Sequence, residues 1–109
     1  MSQTEAHRWE PVCALEELPV GDVIRVDFDG KAYAVYHTTS GFYATEGLCT
    51  HERASLADGF VEGDHIVCPK HSSRFHIPTG KATRIPAKID LKTYPVKHEG
   101  GTIYLGILE

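Results

Sequence analysis

Two short motifs, Cys49-Thr50-His51 and Cys68-Pro69-Lys70-His71, stand sixteen residues apart in this 109-residue chain. Each offers one thiol and one imidazole, close enough along the backbone to turn toward a common point. A chain that uses both pairs must fold so that two separate turns meet, which excludes most arrangements of the residues between them. The combined donor set of two sulfurs and two ring nitrogens suits iron or zinc rather than magnesium or calcium.

The surrounding sequence reads as short strands. Val23 to Phe28 alternates, with Ile24, Val26 and Phe28 on one face and Arg25 and Asp27 on the other. Asp29-Gly30 follows as a hairpin signal, and Lys31 to His37 returns as its partner. Ser40-Gly41 turns the chain into Phe42 to Thr45. His65 to Cys68 leads into the second motif, Arg74 to Ile77 leaves it, and Pro78-Thr79-Gly80 turns again. Leu91 to Val96 and Thr102 to Leu105, joined across Glu99-Gly100-Gly101, predict a closing hairpin. One helical turn is expected from Ala14 to Leu18, stopped by Pro19. Pro86 predicts a loop at Ile85-Pro86-Ala87, since proline is excluded from a central strand. With no repeat or linker, the expectation is a single all-β domain over residues 1–109, a sandwich or small barrel.

Composition narrows the setting. The chain has no apolar run of membrane-spanning length, and Met1 to Glu10 contains neither an apolar signal core nor a twin arginine, so a cytoplasmic protein is expected. Three cysteines in a reducing compartment do not suggest a disulfide framework, and Cys13, beside Val12 and Ala14, reads as a small buried apolar residue. Net charge is −4 but unevenly spread. Residues 1–64 hold twelve acidic and four basic side chains, whereas 65–98 hold seven basic ones against Asp90. If that division persists in space it makes a dipole able to steer protein docking; if the halves interleave, it averages out. An acidic chain without a basic-aromatic patch is a poor nucleic-acid binder.

Four readings compete for the paired motifs. A structural zinc finger usually pairs Cys with Cys and His with His, and here each pair is mixed, which disfavours zinc without excluding it. Nucleophilic catalysis needs one activated thiol, not a duplicated pattern. Chance is conceivable with seven histidines, yet two matched pairs on expected turns argue against it. The remaining reading is a metal–thiolate–imidazole centre.

With these residues in hand, the chain resembles the Rieske-type [2Fe–2S] proteins, whose pattern C-x-H, then C-x2-H is met by Cys49, His51, Cys68 and His71. Leu56 with Asp58-Gly59, Glu62-Gly63, Phe75, Thr79-Gly80 and the Pro86 loop also fall where such ferredoxins have similar residues. The resemblance implies an antiparallel β-sandwich or barrel with a small cluster-binding part, about 47–77, formed by two loops. It further implies one [2Fe–2S] cluster, with Cys49 and Cys68 on one iron and His51 and His71 on the other. Neutral imidazoles in place of two thiolates make the cluster less negative and raise its potential above that of all-cysteine ferredoxins.

Departures from the family pattern point to its low-potential branch. High-potential members add one cysteine per loop, joined as a disulfide; the corresponding residues here are Ala54 and Lys70. Those members also place a serine and a tyrosine after the second histidine, and Ser73 and Phe75 stand there, so one hydroxyl donor remains. A potential toward the low end of the Rieske range, about −150 mV, is expected. Ser72 replaces a common glycine, a strained choice if positive φ is required. Arg53, Lys70 and Arg74 flank the ligands, either as solvated surface or as a basic collar for an acidic partner. His76, His7, His37, His65 and His98 read as structural or surface residues.

By the same resemblance the chain is similar to the soluble ferredoxin of bacterial ring-hydroxylating dioxygenases, used in aromatic catabolism. It would then be a monomeric one-electron carrier and not an enzyme, serving an NAD(P)H-dependent flavoprotein reductase and a terminal oxygenase. A fixed small subunit of an assimilatory nitrite reductase and a zinc-binding interaction module are the alternatives.

Overall fold

The computed structural model describes residues 8–50, 54–69, 73–85 and 88–107. Its strands are β1 (Arg8–Ala14), β2 (Val23–Phe28), β3 (Lys31–Thr38), β4 (Gly41–Glu46), β5 (Phe60–Glu62), β6 (His65–Val67), β7 (Arg74–His76), β8 (Ala82–Arg84), β9 (Thr93–Tyr94), β10 (Val96–Glu99) and β11 (Thr102–Ile107). They form three antiparallel sheets with strand orders β1-β11-β10, β2-β3-β4-β9 and β5-β6-β7-β8.

Strand β3 explains the layering. Its central residues Tyr33 to Tyr36 are all buried, so this strand has apolar contacts on both faces. Tyr33 and Val35 face one core, with Leu18, Ala44, Tyr94, Ile103, Leu105 and Ile107. Ala34 and Tyr36 face the other, with Leu56, Ile66, Phe75, Ile77, Leu91 and both Cys49 and Cys68. The β2-β3-β4-β9 sheet is therefore a middle layer. Its first face meets the β1-β11-β10 sheet, and its second face supports the β5–β8 sheet and the two cysteine motifs.

Strand β2 shows the expected alternation: Ile24, Val26 and Phe28 pack into the first core while Arg25 and Asp27 are exposed. The β2–β3 turn places Asp29 at φ 53° and Gly30 at φ 77°. Two consecutive left-handed residues match the right-handed twist of the flanking strands, which is why Asp-Gly suits this site. The expected helical turn is a 3-10 turn at Leu15–Glu17, in which the Ala14 N–H donates to Glu17 Oε1 at 2.9 Å. His37 Nδ1 lies 2.7 Å from the Leu18 carbonyl and pins the segment that follows.

Three strands, β1, β5 and β8, were not expected from the sequence. Strand β1 contains Pro11, which is tolerated because the strand lies at a sheet edge, exposed, beside a register shift between Pro11 and Cys13. The closing hairpin forms, but its first strand lies further along than the expected Leu91 to Val96: Thr93–Tyr94 joins the middle sheet, and Val96–Glu99 pairs with β11.

Candidate metal centre

The two cysteine motifs are built alike. The Cys49 N–H donates to the Ala54 carbonyl at 2.8 Å, just inside an isolated bridge between Leu48 and Ser55. The Cys68 N–H donates to the Ser73 carbonyl at 2.8 Å, one step past the paired residues Val67 and Arg74. In each case the cysteine opens a hairpin loop and the fifth residue after it closes the loop. Ala54 and Ser73 are thus positional equivalents. Both cysteines are buried in one apolar cluster with Leu56 and Phe75.

A close approach holds the loops together. A Cβ on Gly59 would lie 2.0 Å from the Val67 carbonyl oxygen and 3.2 Å from Pro69 Cδ. Only glycine lets the turn after the first loop press against the backbone entering the second. This accounts physically for the Asp58-Gly59 element, and Leu56, fully buried at the start of the same turn, anchors it. Thr50, inside the first motif, adds a link that the sequence did not reveal: its hydroxyl donates to the Ile89 carbonyl at 2.7 Å. That bond ties the segment after Pro86 to the first loop. At its other end the segment follows Arg84, which pairs with Arg74 beside the second loop.

Ser73 tests whether the site fits an iron–sulfur group. The residue is fully buried, and its hydroxyl has no hydrogen-bond partner among the described residues. Leaving such a donor unpaired costs about 1–3 kcal/mol. It stands two residues past the second motif, where thiolate or sulfide sulfur would supply an acceptor. Two buried thiols and one orphaned hydroxyl therefore fit a sulfur-rich cofactor.

The other expected site residues divide sharply. His51, Arg53, Lys70, His71, Ser72 and Pro86 lie outside the described residues. Arg74 is placed, and Nη1 lies 2.5 Å from Glu62 Oε1, so this member of the expected basic collar is ion-paired. The pair also joins the acidic and basic stretches of the chain, which interleave here. His76 is a cross-strand neighbour of His65, away from the loop tips. Cys13 is half-buried in the first core; burial first, and Glu17 second, push its thiol pKa up.

Paired thiol loops at one side of a layered β-fold, with a buried hydroxyl close behind the second, fit the class of all-β iron–sulfur proteins. Comparison with known proteins makes this specific. The Rieske [2Fe-2S] domain family matches residues 8–95. The ferredoxin component of the naphthalene 1,2-dioxygenase system of Pseudomonas aeruginosa is 44% identical over 100 residues, covering 92% of this chain and 96% of that one. The ferredoxin component of the naphthalene 1,2-dioxygenase/salicylate 5-hydroxylase systems of Ralstonia sp. is 45% identical over 97 residues, covering 89% and 93%. The ferredoxin in a complex of reduced oxygenase and oxidized ferredoxin of carbazole 1,9a-dioxygenase superposes with a TM-score of 0.88 at 36% identity, covering 93% of this chain and 94% of its own. The chain belongs to the Rieske [2Fe–2S] family. It carries one Rieske-type cluster on a β-sandwich scaffold and is an electron-transfer component, not a catalyst. Among the described residues no helix is long and apolar enough to cross a membrane.

Proposed function

We propose that this protein is the soluble, monomeric, cytoplasmic ferredoxin of a ring-hydroxylating dioxygenase system. It takes single electrons from an NAD(P)H-dependent flavoprotein reductase and delivers them to a terminal oxygenase. Residues 1–109 act as one domain with its cluster-binding part at about 47–77. Cys49 and Cys68 hold one iron, and His51 and His71 hold the other. The observation that carries this reading is the matched pair of buried cysteines at equivalent places in two hairpin loops, in a chain similar over nearly its full length to such ferredoxins.

When bound, the cluster supplies one-electron redox chemistry. The chain's own residues set its surroundings: Leu56, Phe75 and Leu91 exclude water from the cysteine side, and Ser73 offers one donor. Ala54 and Phe75, which lack the additional thiol and hydroxyl of high-potential relatives, support a low potential. Ile85 and Ile89 are 74% and 66% exposed on either side of Pro86-Ala87, anchored near the second and first loops respectively. Solvated isoleucines beside a redox centre suit transient apolar contact with a partner protein.

The test is replacement of Cys49, His51, Cys68 and His71 singly by alanine. Each change should abolish the visible iron–sulfur absorbance and electron delivery in an assay with reductase and oxygenase, whereas His37→Ala should retain both. A cluster that survives loss of any of the four refutes the assignment. The nitrite reductase alternative has a likeness of its own, a putative NADH-dependent nitrite reductase small subunit from Mycobacterium tuberculosis, with a TM-score of 0.83. At 19% identity that likeness shows only a shared fold. Native mass decides between them, since a carrier runs alone and a fixed subunit co-purifies.

A further inference from the structure

The outer face of the β6–β7 hairpin carries two imidazoles that the electron-transfer role does not use. His65 and His76 are direct cross-strand partners with ring centroids 5.3 Å apart. The Ile77 N–H donates to Asp64 O, and the Cys68 N–H donates to Ser73 O. These bonds fix the hydrogen-bonded pairs of the ladder, and alternation puts His65 opposite His76 in a non-hydrogen-bonded pair. There side chains stand closest.

From this juxtaposition we propose that His65 and His76 form a surface binding site for a zinc-like divalent transition cation, completed by water. The spacing can be worked through. An imidazole nitrogen lies about 1.15 Å from its ring centre and binds zinc at about 2.05 Å, so a tetrahedral N–Zn–N angle separates the two centres by about 5.2 Å. A square-planar cis pair would bring them to about 4.5 Å with the same bond lengths. The observed rings, 5.3 Å apart at 65° in an edge-on contact, stand at a separation that reaches the tetrahedral case once a nitrogen of each turns toward the cation.

Two further features prepare the pair. His76 Nδ1 lies 2.9 Å from Thr79 Oγ1, and in the tautomer whose Nδ1–H donates to that hydroxyl the lone pair is on Nε2. A hydrogen bond at the far nitrogen is the usual device that orients a metal-binding histidine. His65 has neither ring nitrogen hydrogen-bonded among the described residues, and its pKa is lowered by partial burial first, then by Arg74 and His76. It therefore presents a neutral ring at neutral pH. Asp64 and Glu62 contribute negative charge in its vicinity; Arg74 opposes a cation but is paired with Glu62. Bound metal would join β6 to β7 on the face opposite the core residues Ile66 and Phe75, bracing the hairpin whose far end is the second cysteine loop.

The test is calorimetric titration of the cluster-loaded protein with zinc chloride at pH 7.5. We expect one equivalent bound in the micromolar range with the visible spectrum unchanged. His65→Ala and His76→Ala should each weaken binding at least tenfold, and Thr79→Val should weaken it about tenfold by freeing the His76 ring. His98→Ala should leave it unchanged. Imidazole NMR shifts of His65 and His76 on zinc addition would establish the site even if a variant folded poorly. Absence of binding to the wild-type protein, or wild-type affinity in either alanine variant, overturns the proposal. So does zinc uptake that occurs only as the cluster bleaches.

Discussion

Ser73→Ala removes a buried hydroxyl that has no partner among the described residues and closely follows the second cysteine motif. The hydroxyl is fully buried and unpaired among the described residues, so the substitution removes a polar atom without opening a route to water. A hydrogen bond to a charged acceptor contributes about 1.5–3 kcal/mol, and the bond tightens when reduction adds a negative charge to that acceptor. If roughly half of the smaller value, about 0.75 kcal/mol, is differential between redox states, its loss lowers a one-electron potential by about 30 mV. In the protein without its cluster the sign of the stability effect reverses. The hydroxyl is then a burden, and alanine should stabilise the apo fold by about 1 kcal/mol. Redox titration of the loaded protein and chemical denaturation of the apo protein measure the two effects separately. A potential that stays put, or an apo protein destabilised by the change, would refute the assignment of Ser73 as a donor to sulfur.

Other perturbations probe the scaffold. Gly59→Ala drives a methyl to 2.0 Å from the Val67 carbonyl oxygen, so the loops must part; overpacking of this kind costs about 1–3 kcal/mol or more, and iron content per chain should fall. Full iron loading with an unchanged melting point would contradict the close approach. Thr50→Val removes the bond to the Ile89 carbonyl, and amide exchange at residues 88–91 should quicken while Thr50→Ser keeps protection. Burial first, opposed by the Thr45 hydrogen bond, holds the Tyr36 phenol far above its usual range. A raised folded pKa means that stability is fully present below about pH 10, the ordinary tyrosine value, and declines as pH rises further. Denaturation midpoints should show this alkaline loss, and Tyr36→Phe should flatten it; an equally steep decline in that variant would assign the effect elsewhere.

Much of this architecture is legible in the chain because local and long-range signals agree. The β2–β3 hairpin could be read from alternation and Asp-Gly, since a single turn chemistry satisfies the strand twist. The cysteine motifs could be read because their donor types are rare and their spacing is mixed. Strands β5 and β8 could not, because three residues carry no periodicity and neither adjoins a ligand motif as β6 and β7 do, and β1 was obscured by Pro11, whose tolerance depends on an edge position. Burial of β3 on both faces hid its role as a middle layer, since its unbroken apolar run does not say what covers each side. Thr50 and Ile89 lie far apart in sequence, and nothing local joins a hydroxyl to a distant carbonyl. Ser73 was legible only through family resemblance; its isolation from other partners is a property of packing.

The two solvated isoleucines set a time scale. Burying a side chain of that size fully stabilises a contact by about 1.5–3 kcal/mol, so the pair supplies on the order of 3–6 kcal/mol. Association costs an estimated 4–15 kcal/mol in lost freedom, so such a contact cannot by itself hold a complex together. If the proposed docking through Ile85 and Ile89 holds, a partner would be released soon after it is met, leaving the protein free to visit the next one. Enlarging either residue to tryptophan should lengthen the visit and, once departure becomes slower than electron transfer, reduce the steady flow of electrons through the pathway.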